Sequence, residues 1–245
     1  MGSLPHILVI NPNTSANVSA MIDGVARDEL GSAAEIATIT ARFGFSYIST
    51  RTAVAVASHA VLDAAASALE ERDILPGAIV LACFGDPGRE ALAEMTGIPV
   101  LGFAEAGLAA AVEHAGTTLL ATSGTVWCDM LEELALKSRL SGKIAGIRSI
   151  DAVTGSDEAV AEFLETEAKA LGATQIVLGG AGLMPRLPAI IAASGIPIID
   201  PHRLTFRRAI EMARGNASTQ AAETVLLGSP SGLSPALQKV LEHRG

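Results

Sequence analysis

The sequence predicts an α/β protein made of two similar units with mainly parallel sheets, and three observations predict it. Short runs of Ile, Val and Leu alternate with longer Ala-rich stretches, the pattern of buried strands separated by helices. Hydrophobic residues make up 49% of the 245 residues and aromatic ones only 3%, a composition suited to sheets covered by helices. The chain also repeats itself. Ile79-Val80-Leu81-Ala82-Cys83-Phe84-Gly85 matches Ile176-Val177-Leu178-Gly179-Gly180-Ala181-Gly182, 97 residues on, and Gly97-Ile98-Pro99-Val100 matches Gly195-Ile196-Pro197-Ile198, 98 residues on. Two matches at nearly one offset imply two Rossmann-like units related by a pseudo-two-fold axis. Loops from equivalent strand ends would then face one cleft, with Cys83 looking across at Gly180. The expected units are 1–102 with 206–245, and 103–205.

The elements follow in order. Ile7–Ile10 is the first strand, and Asn11-Pro12-Asn13-Thr14-Ser15 is a turn-and-cap cluster opening a helix over Ala16–Leu30. Ala34–Ile39 is a strand, 41–49 an irregular loop with the only tyrosine, and Thr52–Leu69 a long Ala-rich helix. The strand entering Cys83 comes next, then a helix after Pro87. The second half carries helix Glu105–His114, strand Thr117–Ala121, and a turn at Thr122-Ser123-Gly124-Thr125 that opens the helix bearing Trp127 and Cys128. A strand and loop over Ile147–Val153, helix Asp157–Leu171, strand Gln175–Leu178 and helix Pro188–Ser194 follow. The last elements are a helix over Leu204–Arg214, a polar stretch Gly215-Asn216-Ala217-Ser218, and a short helix.

The formal charge of -9 excludes a dedicated nucleic-acid binder, which would carry a basic patch. No run of about 18 apolar residues is present, so no membrane span is expected. The start, Met1-Gly2-Ser3-Leu4-Pro5-His6, lacks the features of a signal peptide or a myristoylation site. Cys83 and Cys128 follow no metal-ligand spacing, and without an export signal a disulfide is not expected. The expectation is a cytoplasmic protein without metal or cofactor, acting on a small molecule. A homo-oligomer is expected from the habit of such enzymes.

The chemistry centres on Ile79–Gly88. An apolar strand ends in a thiol, and Asp86 and Pro87 have the identities of an N-cap and a first helical residue. A helix N-terminus there would favour the thiolate, which is the nucleophile and the base. Thr122 and Ser123 read equally well as helix caps or as ligand contacts, and Ser15 reads as a cap.

Together these residues resemble the aspartate/glutamate/hydantoin racemase superfamily, most closely its hydantoin and allantoin racemase branch. The resemblance rests on Val9-Ile10-Asn11-Pro12-Asn13-Thr14-Ser15, Cys83-Phe84-Gly85-Asp86-Pro87-Gly88 and Val177-Leu178-Gly179-Gly180-Ala181-Gly182. It implies cofactor-independent racemisation at a carbon next to a carbonyl. One cysteine removes a proton and a second, on the opposite face, returns one. Cys83 takes the first role, whereas the second cysteine falls where this chain has Gly180. His202, after Asp200-Pro201, is the candidate replacement acid or base. Asn13, Thr122 and the backbone near Ile48, Phe84 and Ala181 would steady the enolate-like intermediate, with Tyr47, Gly85 and Ser123 beside them. The branch usually has an acidic residue where this chain has Ser49. Arg42 or Arg51 facing the ligand would instead favour an anionic substrate. The alternatives are a one-thiol isomerase or decarboxylase acting on a small dicarboxylate, and a binding protein that has lost turnover.

Overall fold

The computed structural model describes residues 4–215 and 230–242, so the polar stretch after Gly215 and the first three residues lie outside the described residues. The chain divides into two compact units. The first comprises the described residues up to Ala82, Pro87–Leu101, and those from Phe206 onward; the second comprises Cys83–Asp86 and Gly102–Thr205. The Cys83 turn therefore groups with the second unit, although the strand leading into it belongs to the first.

In the first unit β1 (His6–Asn11), α1 (Ala16–Leu30), β2 (Glu35–Thr40), α2 (Arg51–Glu70), β3 (Ala78–Leu81), α3 (Arg89–Thr96) and β4 (Val100–Gly102) alternate, and α9 (Pro235–Glu242) closes the unit. The sheet order is β2-β1-β3-β4, with β1 parallel to both neighbours. β3 is buried at every position because helices cover both faces, which is why it reads as an unbroken apolar run. Leu8, Ile10, Val61, Ala65, Ile79, Leu81, Leu92 and Ile98 form the core. Small residues on α2 (Ala53, Ala57, Ala60 and Ala64) are buried.

By length and composition alone α2 is apolar enough to cross a membrane, at a mean hydropathy of 1.4 over its best window. It is not an unbroken apolar run, since Ser58, His59, Asp63 and Ser67 interrupt it. A continuous apolar run is not needed, because alanines dilute the few polar residues over five turns. In the fold its alanine face is buried, together with Asp63, as suits a core helix.

The second unit has α4 (Phe103–Glu113), β5 (Thr118–Thr122), α5 (Thr125–Lys137), β6 (Ile144–Ser149), α6 (Asp157–Leu171), β7 (Gln175–Leu178), α7 (Leu187–Ala193) and β8 (Ile198–Ile199). Helix α8 (Pro201–Gly215) begins here and runs on into the residues of the first unit. Its sheet order, β6-β5-β7-β8, is the order of the first sheet, and β5 is parallel to β6 and β7. The repeat at Ile79 and Ile176 therefore marks the same strand, third in sequence within each sheet. Leu119, Ile176, Leu178, Leu164, Leu187 and Ile190 centre the core.

Two elements start three residues earlier than the sequence reading has them. The strand expected over Ile147–Val153 is β6, three residues earlier, because its pairing with β5 starts at Ile144. The last long helix begins at Pro201 rather than Leu204, because Asp200 caps it and Pro201 suits its first turn.

Candidate functional site

Cys83 follows β3 in a tight turn whose Gly85 and Asp86 amides both donate to the Cys83 carbonyl, at 2.9 and 3.2 Å. The turn has little room on either side. The ring of Phe84 lies against Gly179, where any β-carbon would fall 2.5 Å from it, and Trp127 lies against Gly85, where a β-carbon would fall 2.1 Å away. Glycine at 85 and 179 is thus required by close approach. Phe84 is buried and Cys83 is half-buried.

Asp86 is not the cap of the helix that follows it. That helix, α3, starts at Arg89 with Gly88 as its N-cap, because Asp86 adopts a left-handed conformation with φ of 49°. Its buried carboxylate turns to the N-terminus of α4 instead, accepting from the amides of Ala104 at 3.1 Å and Glu105 at 2.7 Å. Gly102, the N-cap residue of α4, has no side chain to do this, and a β-carbon there would collide with Asp86. Glu105 completes the cap by accepting from the Gly102 amide at 3.2 Å.

The expected thiolate is corrected by the same geometry. Burial first, and the negative charge of Asp86 second, push the Cys83 thiol well above its ordinary value. The α3 N-terminus is displaced to Arg89 and does not offset them. Cys83 rests as a thiol. Cys128, half-buried on α5, is also raised, first by desolvation and then by Asp129 and Asp151.

The strand ends of β5 and β7 bring further predicted residues into the same unit. Thr122 is buried at the end of β5, and its hydroxyl lies 3.5 Å from where a β-carbon on Gly180 would stand. Neither Thr122 nor Ser123 caps α5. Gly124 is the N-cap residue, its amide donating to Asp151 at 2.8 Å. Gly180, with φ of 139°, precedes a single 3₁₀ turn over Ala181–Leu183. Ala181 and Ser123 are half-buried.

His202 lies in the first turn of α8, not in a loop, and is fully buried. Its Nε2 accepts from the Gly180 amide at 3.3 Å and its Nδ1 meets Asp200 at 2.7 Å, so both ring nitrogens are occupied. A buried ring with both nitrogens engaged is not poised to exchange protons with a ligand, which corrects its expected role as second acid or base.

In the first unit Asn13 is held by its side-chain oxygen, which accepts from the Ser15 amide at 2.9 Å and from Asn11 Nδ2 at 3.0 Å. The other end of the Asn13 side-chain amide is an NH₂ donor. Ser15 caps α1, accepting from Val18 at 3.4 Å. In the 41–49 loop Ile48 is buried and Tyr47 exposed, and the Thr14 amide donates to the Phe45 carbonyl at 3.0 Å. Arg42 is committed to the buried Asp63, donating from Nε at 3.0 Å and Nη2 at 2.7 Å. It is a clamp on the loop rather than a group presented to an anion. Sequence reading missed the roles of Asp86, Asp200 and Asp63; of these only Asp200, ahead of Pro201 and a helical run, had a local signature.

Two parallel sheets of matching strand order place the chain among two-unit α/β folds. The Asp/Glu/hydantoin racemase family matches residues 7–209, and the chain belongs to this family. A hydantoin racemase of Paenarthrobacter aurescens is 30% identical over 232 residues, covering 89% of this chain and 95% of that one. Among solved structures, the allantoin racemase of Klebsiella pneumoniae matches with a TM-score of 0.82 at 26% identity, over 96% of this chain and 98% of that chain. That of Pseudomonas fluorescens matches at 0.78 and 25%, over 88% and 93%. The chain is an isomerase of the racemase type.

Proposed function

We propose that the substrate is a hydantoin or allantoin and that Cys83 carries out the proton transfer. The observation that supports this most is the turn at Cys83, where a strand-end thiol is held between Phe84 on Gly179 and Trp127 on Gly85. The similarity to hydantoin and allantoin racemases supports the substrate class. So does the commitment of Arg42 to Asp63, which removes one cation that a dicarboxylate would need.

In the proposed step the Cys83 thiolate takes the proton from the ring carbon next to the carbonyl. The S–H bond forms as the C–H bond breaks, and the electron pair passes into an enolate. The hydroxyl of Thr122 is the proposed donor to the developing oxyanion, with Ser123 and Ala181, in the same unit as Cys83, lining the substrate. Gly180 stands in place of a second thiol, and because it brings no acidic side chain, water delivers the proton to the opposite face. Cys83 then returns its proton to solvent. Because Cys83 rests as a thiol, the rate should rise with pH and still be rising above 9.0, the ordinary thiol value.

Single enantiomers of allantoin and of 5-substituted hydantoins, incubated with the protein and resolved by chiral chromatography, test the reading. Convergence of both enantiomers on the racemate is expected. Enantiomers that persist against a protein-free control would remove this substrate class.

A further inference from the structure

We propose that His202 is a positioning residue, whose Nε2 lone pair holds the Gly180 amide and so fixes the turn that follows β7. The consecutive amides of Gly179 and Gly180 show why a holder is needed. Gly179 donates to the Ala121 carbonyl at 3.0 Å, the last bond of β7 to its neighbour β5. One residue later the chain leaves the sheet, and the Gly180 amide donates to His202 instead. The turn beyond is closed by Leu183 donating to the Gly180 carbonyl at 2.9 Å. Gly180 is thus pinned by its amide on one side and its carbonyl on the other, in a φ of 139° that side-chain-bearing residues rarely adopt.

The protonation of the ring follows from its partners. The Asp200 carboxyl is shifted downward. Burial alone would raise it, but the hydrogen bonds it accepts from the His202 ring and from the backbone amides of His202 and Arg203 outweigh that. Its Oδ1 accepts from those amides at 2.9 and 3.3 Å and faces Nδ1 at 2.7 Å. A carboxylate only accepts, so Nδ1 carries the hydrogen. A backbone amide only donates, so Nε2 carries the lone pair. The neutral Nδ1–H tautomer alone satisfies both contacts. Phe103 stands edge-on to the ring at 4.7 Å between centroids and seals it from solvent. Asp200 therefore sets two things at once, the start of α8 and the tautomer that holds Gly180. The relevance to turnover rests on the proposed site, but the contact itself does not.

The sequence offers a direct probe, because its one Gly-Gly step is Gly179-Gly180. Protein labelled with glycine carrying ¹³C at the carbonyl and ¹⁵N at the amide gives a single carbonyl-correlated amide signal, that of Gly180. In the native protein this amide should be protected, and the His202 ring should show a bare Nε2 and a protonated Nδ1 in long-range ¹H–¹⁵N spectra. His202→Leu should move the Gly180 amide proton upfield and speed its exchange at least tenfold. His202→Gln, whose side-chain oxygen reaches the Nε2 position, should restore part of both. An unshifted Gly180 amide in the leucine variant, or a native ring with hydrogen on Nε2, would overturn the proposal. The ring spectrum of the native protein decides the matter if the leucine variant does not fold. With an active substrate, the leucine variant should lose kcat more than tenfold at little change in KM, and the glutamine variant should recover kcat. Equal loss in both variants would count against positioning through the acceptor. The amide measurement needs no substrate, so the choice of substrate does not affect its outcome.

Discussion

The sequence contains two Asp-Pro steps, Asp86-Pro87 and Asp200-Pro201, and the fold turns them to different ends. Asp200-Pro201 behaves as its sequence suggests: Asp200 caps α8 and Pro201 opens it. Asp86-Pro87 does not. Gly88 becomes the N-cap of the local helix α3, and Asp86, at φ of 49°, caps the distant α4. Each carboxylate nevertheless acts on a group beyond a strand end. Asp86 raises the Cys83 thiol, and Asp200 fixes the ring that holds Gly180. A capping carboxylate is placed by the helix it finds, while its charge acts on whatever lies nearest.

The largest stability effect is expected at Asp200. Asp200→Ala removes the acceptor for two amides and for Nδ1, and leaving buried donors unpaired should cost on the order of 3 kcal/mol in chemical denaturation. Because the Asp200 carboxyl is lowered in the fold, its contribution is present above its unfolded value of 3.8 and is lost as pH falls through the folded one. The native protein should therefore show an acid limb that the alanine variant lacks.

Gly180→Ala comes next. Nothing lies closer than 3.5 Å to the added carbon, so the cost arises from backbone strain at φ of 139° rather than from a clash. About 1–2 kcal/mol is expected. A variant as stable as the native protein would show that the turn tolerates a side chain. The same strain bears on Gly180→Cys, in which a second thiol would come with a displaced turn.

Asp86→Asn should cost a comparable amount, about 1–2 kcal/mol, because one of the two oxygens that accept from the α4 amides becomes an NH₂ that cannot. Its signature is electrostatic. With the charge gone, the Cys83 titration, followed by thiolate absorbance or alkylation rate against pH, should move downward, and the pH–rate curve should move with it. An unmoved titration would mean that burial alone raises the thiol. The smallest effect is on the alkaline side. A thiol whose folded value is raised stays protonated while the unfolded chain ionises near 9.0, so native stability falls as pH rises past that point. Cys83→Ser should flatten this limb.

Much of the fold was legible because the repeat and the apolar runs are local signals. Helices α1 and α6 and strand β7 fall on their expected residues, since Ser15 and Gly172 punctuate two of them with ordinary cap chemistry. Cys83, Asn13 and Gly180 are candidate positions because they fall in recognisable motifs. What could not be read were contacts between residues far apart in sequence: Asp86 on Ala104 and Glu105, Arg42 on Asp63, and Gly180 on His202. The protonation state of Cys83 was unreadable for the same reason, because it depends on burial and on where one carboxylate turns.

The proposed role of Cys83 as the proton-transfer group is tested most directly by solvent exchange in D₂O. With a single enantiomer of allantoin or a 5-substituted hydantoin, proton NMR should show the signal at the reacting carbon fading with the native protein, alongside inversion seen by chiral chromatography. In Cys83→Ser the loss of that signal should slow by at least a thousandfold, on the order expected when a catalytic acid or base is removed. Exchange at an undiminished rate in the serine variant would contradict the account.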